Sequence, residues 1–163
     1  MKYSVSLLLT LLLSLFLLGC GEEKELTLFK ENMTAFYENV HTIGHSLDSV
    51  NPASKEAVAL VDSSLSEMLK QLQLLASMDI PQQFASVDVL ADDALEYMEE
   101  AVRLHSMAYG NDQVNISFVE AAAENYESAM KRIEYIATLL QGDIPEGATL
   151  IEGDDTEFEP YTE

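Results

Sequence analysis

Apolar residues recur at alternating steps of three and four along four separate stretches of this chain, and that spacing leaves few folds open to it. Phe29, Met33, Phe36, Val40, Ile43, Leu47 and Val50 make the first stripe, and Val58, Val61, Leu65, Met68, Leu72 and Leu75 the second. Val87, Leu90, Ala94, Tyr97, Ala101, Leu104 and Ala108 form the third, with Phe84, Ala91, Met98 and His105 offering a competing register beside it. Val119, Ala122, Tyr126, Ala129, Ile133, Ile136 and Leu140 form the fourth. Residues three and four apart lie on one face of an α-helix, so each stretch predicts a helix that buries a single stripe.

The breaks between stretches agree. All four prolines, Pro52, Pro81, Pro145 and Pro160, lie between or beyond the stripes, where a missing N–H and a fixed φ do least harm. Asn51-Pro52 reads as an N-cap with proline at the first helical position, and Ser117-x-x-Glu120 as a capping box. Gly110 and Gly142 fall where left-handed C-caps would close two helices. Gly44 alone interrupts a stripe, either to admit a close helix neighbour or as a weak turn. These signals predict an all-α fold, an antiparallel four-helix bundle with helices at about 25–50, 52–78, 82–109 and 117–141. Residues 142–163 carry eight acidic side chains and no Lys or Arg, and are expected to be an acidic flexible tail.

Ahead of the first stripe, Lys2 precedes an apolar run from Val5 to Leu18 that stops at Gly19-Cys20-Gly21-Glu22-Glu23. This is the order of a secretory signal, and the run is shorter than the roughly 20 residues a membrane-spanning helix needs. Leu17-Leu18-Gly19-Cys20 resembles the lipobox of bacterial lipoproteins. The resemblance covers the leader alone. It implies removal of residues 1–19, a diacylglycerol on the Cys20 thiol, a lipidated tether at residues 20–25, and attachment to the extracytoplasmic side of the cell membrane. Cys20 is the only cysteine, so the domain can form no internal disulfide and relies on packing. Two acyl chains hold a protein at a membrane stably where one does not.

Charge narrows the partners. The chain carries 29 acidic and 8 basic side chains, a formal charge of −21 that becomes −22 once Lys2 leaves. Nucleic-acid phosphates need clustered Lys and Arg, and anionic lipid headgroups need the same, so neither is expected to bind the domain directly. A basic protein or a divalent cation remains a suitable partner.

Candidate chemistry is sparse. Glu38-x-x-His41-x-x-x-His45 puts three metal-ligating side chains on one helical face, but with Val40 and Ile43 in the seam both histidines are expected to point outward. They are therefore candidates for a surface metal site only. His105 faces the core in the competing register of the third helix, where Met33, Met68, Met98 or Met130 is a conceivable haem co-ligand, although the chain lacks Cys-x-x-Cys-His. Asp88, Asp92, Asp93, Glu96, Glu99 and Glu100 crowd one helix, with Glu99 placed to pair with Arg103. They predict either a solvated face or a docking surface. No Gly-x-Ser-x-Gly elbow, phosphate-binding glycine loop or His-Glu-x-x-His helix occurs. The expectation is a non-enzymatic interaction or structural module of the cell envelope, without a cofactor beyond the lipid on Cys20. The alternative is an extracytoplasmic binder of a metal or small ligand.

Overall fold

The computed structural model describes the backbone of residues 3–110 and 113–141, and side chains from Glu23 onward. Four α-helices and no strand occur among them: α1 (Tyr3–Asp48), α2 (Ala57–Ala76), α3 (Ala85–Tyr109) and α4 (Ile116–Leu140). A single 3-10 turn, Gln82–Phe84, leads into α3. The helices pack against each other as the predicted all-α four-helix bundle.

Contacts between helices set their directions. Asn39 of α1 hydrogen-bonds Gln71 of α2, Asp62 of α2 faces His105 of α3, and Asp93 of α3 faces Arg132 of α4. Tyr37 of α1 donates to the Ile133 carbonyl of α4 at 3.3 Å. Two of these pairs, Asp62–His105 and Asp93–Arg132, join an early position on one helix to a late position on the next, as up-and-down topology requires.

The first stripe is buried from Phe29 to Ile43, with Leu47 and Val50 half-buried. Phe29 stacks on Phe84 at 5.3 Å and closes that end of the core. Gly44 has no heavy atom within 4 Å of an added Cβ, so it admits no close neighbour. The backbone of α1 is already helical through residues 20–25, the expected tether, where Glu and Lys are good helix formers that the stripe behind them can extend. The lipobox side chains, Leu17 to Cys20, and the tail at 142–163 lie outside the described residues.

α2 is shorter than its prediction at both ends. Asn51 does not cap it: its Oδ1 accepts from Ala53 N and its carbonyl from Ser54 N, both at 3.0 Å, which closes a separate turn. The helix starts five residues after Pro52, at Ala57, with no side-chain cap from Glu56. Its buried line runs Ala57, Val61, Leu65, Met68, Leu72 and Leu75, 18 residues in five steps. That is the natural 3.6 residues per turn, whereas an unbroken three-and-four rhythm advances 3.5. The difference turns Val58 outward, where it is 39% exposed.

α3 buries both of its registers: Val87, Leu90, Ala94, Ala101, Leu104 and Ala108 together with Ala91, Met98 and His105. A face this broad fits a helix touched on two sides, and α3 packs closely on both α4 and α2. The α3–α4 pair is the tightest. Ala91, Ala94, Ala101 and Ala108 on α3 and Ala129 on α4 are wholly buried and Ala122 nearly so. Short side chains let two helix axes come to the near end of the 8–10 Å range.

The caps correct two expectations. α4 begins two residues earlier than the capping box implies, because Asn115 rather than Ser117 is its N-cap and the Asn115 Oδ1 accepts from Phe118 N at 3.3 Å. Ser117 lies inside the first turn. Gly110 closes α3 in a right-handed conformation, φ −73°, so no left-handed cap forms there. Asn115 N instead donates to the Ala108 carbonyl, which supplies the partner a left-handed cap would have given.

Two outcomes follow for stability. Ala101→Leu forces the α3–α4 seam apart and costs about 1–3 kcal/mol, read by chemical denaturation. Asn115→Ala costs about 1 kcal/mol, whereas Ser117→Ala stays within about 0.5 kcal/mol, and the reverse order would mean the capping box operates.

Candidate functional site

Residues that flank the alanine seam, rather than fill it, line a groove of about 560 Å³ along α3 and α4. Asp93, Glu96, Tyr97, Glu100 and Arg103 come from α3 at steps of three, one, three and three, which places them on one side of the helix. Glu99 joins them at the rim. Asn125 and Arg132 come from α4, seven residues apart and so on one face. The chain has two arginines, and both line this groove.

The two arginines are held differently. Arg103 is exposed and makes a two-pronged pair with Glu100, including Nε to Oε2 at 2.7 Å. That hydrogen bonding holds the Glu100 carboxyl below its usual range and the guanidinium above its own. Sequence spacing favoured Glu99 as the partner. The structure corrects this, because a three-residue step puts Glu100 in line with the guanidinium fork.

Arg132 is 13% exposed, lies 5.0 Å over the Tyr97 ring, and brings Nε to 3.7 Å from Asp93 Oδ2. That separation is too long for a hydrogen bond. The guanidinium carbon thus lies over the face of the ring in a cation–π contact. Asn125 spends its amide on the Ala121 carbonyl of its own helix, at 2.8 Å.

The residues singled out by sequence lie elsewhere. Glu38, His41 and His45 are exposed on α1, as their register predicts, and His45 Nδ1 sits 3.3 Å from Ser49 Oγ. Among the described residues, no group of three or more His, Cys, Asp or Glu is arranged to hold a metal ion. His105 does face the core, 7% exposed, with its ring 5.0 Å from that of Tyr109. Among the described residues its Nδ1 has no hydrogen-bond partner, and it stands 3.6 Å from Asp62 Oδ1, an ion-pair distance only if the ring is protonated. Of the acidic crowd on α3, Asp88, Asp92, Glu96 and Glu99 are exposed, and Asp93 and Glu100 half-buried toward the groove.

A second, more apolar groove runs between α1 and α4 beside Tyr37, Tyr126, Met130 and Ala137. Burial raises the phenol pKa of Tyr37, and burial followed by the Asp48 carboxylate raises that of Tyr126. A raised folded pKa means the neutral phenol belongs to the folded state. Its stabilisation is complete below pH 10, the unfolded value, and is lost as pH rises from there toward the folded one. The melting temperature of the protein is therefore expected to fall above pH 10, and Tyr37→Phe to flatten that fall, measured as Tm between pH 8 and 12.

The groove along α3 and α4 was not legible as a site in the sequence. The seven-residue spacing of Asn125 and Arg132 was a usable signal, but which α3 side chains meet them depends on how the two helices align. Compared with known protein families, characterised proteins and solved structures, the chain matches none.

Proposed function

We propose that this protein is a lipid-anchored, extracytoplasmic, non-enzymatic interaction module of the cell envelope. The anchor rests on Leu17-Leu18-Gly19-Cys20 and on the lone cysteine, whose thiol would carry the diacylglycerol. The observation that carries the interaction reading is where exposed apolar side chains gather. Of the eight large apolar side chains exposed among the described residues, five, Val58, Leu60, Met107, Val114 and Ile116, at 39–61%, belong to the end of the bundle formed by the α1–α2 and α3–α4 connections, and Leu28, Leu74 and Val89 lie toward the other end. That is the end of α1 farthest along the chain from Cys20. A bundle held by Cys20 would offer this end to a partner, since it carries the larger share of the exposed apolar side chains, which favour protein contact. With a net charge of −21, a partner basic around an apolar centre fits best.

A second reading, a small-ligand binder, is favoured by the mostly buried Arg132 in the α3–α4 groove. Among the described lining residues there is no Ser, Thr, Cys, His or Lys. The groove's lining of four carboxylates and two guanidiniums offers recognition by fixed charge.

Two measurements test the first reading. Cys20→Ser is expected to abolish metabolic labelling with palmitate and to leave the unprocessed precursor, and a labelled, processed variant would remove the anchor. A photocrosslinker at Ile116 should give a discrete adduct in native envelopes that weakens when Val58→Asp is added, while one at the exposed Glu124 gives none. Equal adducts at both positions would remove the interaction end.

A further inference from the structure

We infer that the α3–α4 groove binds a small zwitterion, an amino acid or short peptide whose carboxylate is received by Arg132 and whose ammonium is received by Glu96 and Glu99. The inference rests on the small-ligand reading and names the chemistry of its ligand.

Arg132 carries the carboxylate half. A guanidinium presents five N–H donors in a rigid fork, yet among the described residues Arg132 donates no hydrogen bond, and its nearest carboxylate oxygen is 3.7 Å away. At 13% exposure most of the side chain is withdrawn from water, yet its nitrogens are not among the fully buried ones, so the fork is both unpartnered and reachable from the groove. The Tyr97 ring meets the guanidinium as a π-system and takes no conventional hydrogen bond from it, so the N–H fork remains for a ligand. The partner that fits a fork in one plane is a carboxylate, through two parallel charge-assisted bonds. Arg103 does not compete for it, because Glu100 already occupies its fork.

The surrounding charge decides what else the ligand must carry. Asp93, Glu96, Glu99 and Glu100 outnumber the two arginines along the groove, and the whole chain is strongly negative. A simple anion reaching Arg132 meets this field and is repelled. An ammonium on the same molecule reverses the sign of that interaction. Glu96 and Glu99, which form no ion pair among the described residues, are its receivers. A bare metal ion fits poorly, since no three of these carboxylates are arranged to hold one. A diamine satisfies the carboxylates but brings a second positive charge to Arg132. A molecule with one charge of each sign satisfies both ends, and about 560 Å³ admits anything up to a short peptide.

Calorimetry on the full chain in detergent micelles tests this with L-lysine, L-glutamine and L-alanyl-L-alanine as zwitterions, and acetate and putrescine as single-sign probes. At least one zwitterion should give saturable heat that neither acetate nor putrescine gives at the same concentration. Arg132→Gln should weaken that binding about tenfold or more, the scale of a lost charge-assisted pair. Because Arg132 also packs on Tyr97, Glu99→Gln on the exposed rim provides a variant whose folding is not at stake, and it should weaken zwitterions severalfold. Acetate or putrescine binding as well as the zwitterions, with Arg132→Gln still weakening it, would overturn the zwitterion and keep a ligand groove. Zwitterion binding unchanged in both variants would overturn the groove as its site. No heat from any probe would overturn both the zwitterion and the small-ligand reading.

Discussion

The close approach of α3 and α4 over buried alanines is the constraint on which the rest of the molecule depends. Ala94, Ala101 and Ala108 repeat every seven residues on α3, and Ala122 and Ala129 do so on α4; all are buried, and these two helices are the most closely packed pair. Side chains on the flank then reach across the seam. Arg132 lies over Tyr97 and beside Asp93 because the helix axes are near enough for a side chain of one to cover the other. Larger residues in the seam would part the helices and dissolve the groove with them.

The other seams are made differently. Large side chains fill the space that α1 and α2 enclose with α3: Phe29, Met33, Phe36, Met68, Leu72, Leu75 and Met98. Between α1 and α4 the Tyr37 hydroxyl bridges to a backbone carbonyl, and an apolar groove stays open beside it. Across α2 and α3, His105 waits 3.6 Å from Asp62, without a hydrogen bond at Nδ1 among the described residues. The bundle thus has one close-packed helical hairpin, and two helices that complete the core with bulkier residues. Polar chemistry collects along the rims, where burial is partial and charge can still be solvated.

Several of these features were legible in advance. The stripe of α1 came through intact from Phe29 to Ile43, and the outward placement of His41 and His45 follows from that register alone. The two competing registers of α3 were both real, since that helix is covered on two sides. Errors fell where local alternatives are close in energy. Asn115 and Ser117 are both good capping residues, and two residues of displacement choose between them. Asn51-Pro52 is as suited to a turn as to a helix start, and it made a turn. Glu99 and Glu100 were both within reach of Arg103, and side-chain geometry selected the second.

What the sequence determined by itself is the class of fold and the inward faces, because helical periodicity is a local property written in every turn. It also determined the overall charge, and the single cysteine with its lipobox-like setting. Tertiary structure alone decided which flanking residues meet. Arg132 and Tyr97 are 35 positions apart, and no spacing rule connects them. Their meeting depends on the axial alignment of α3 against α4, which the alanine seam permits and the connection around Gly110 and Asn115 helps to set. A groove between helices is a relation between two registers, and one register at a time cannot display it.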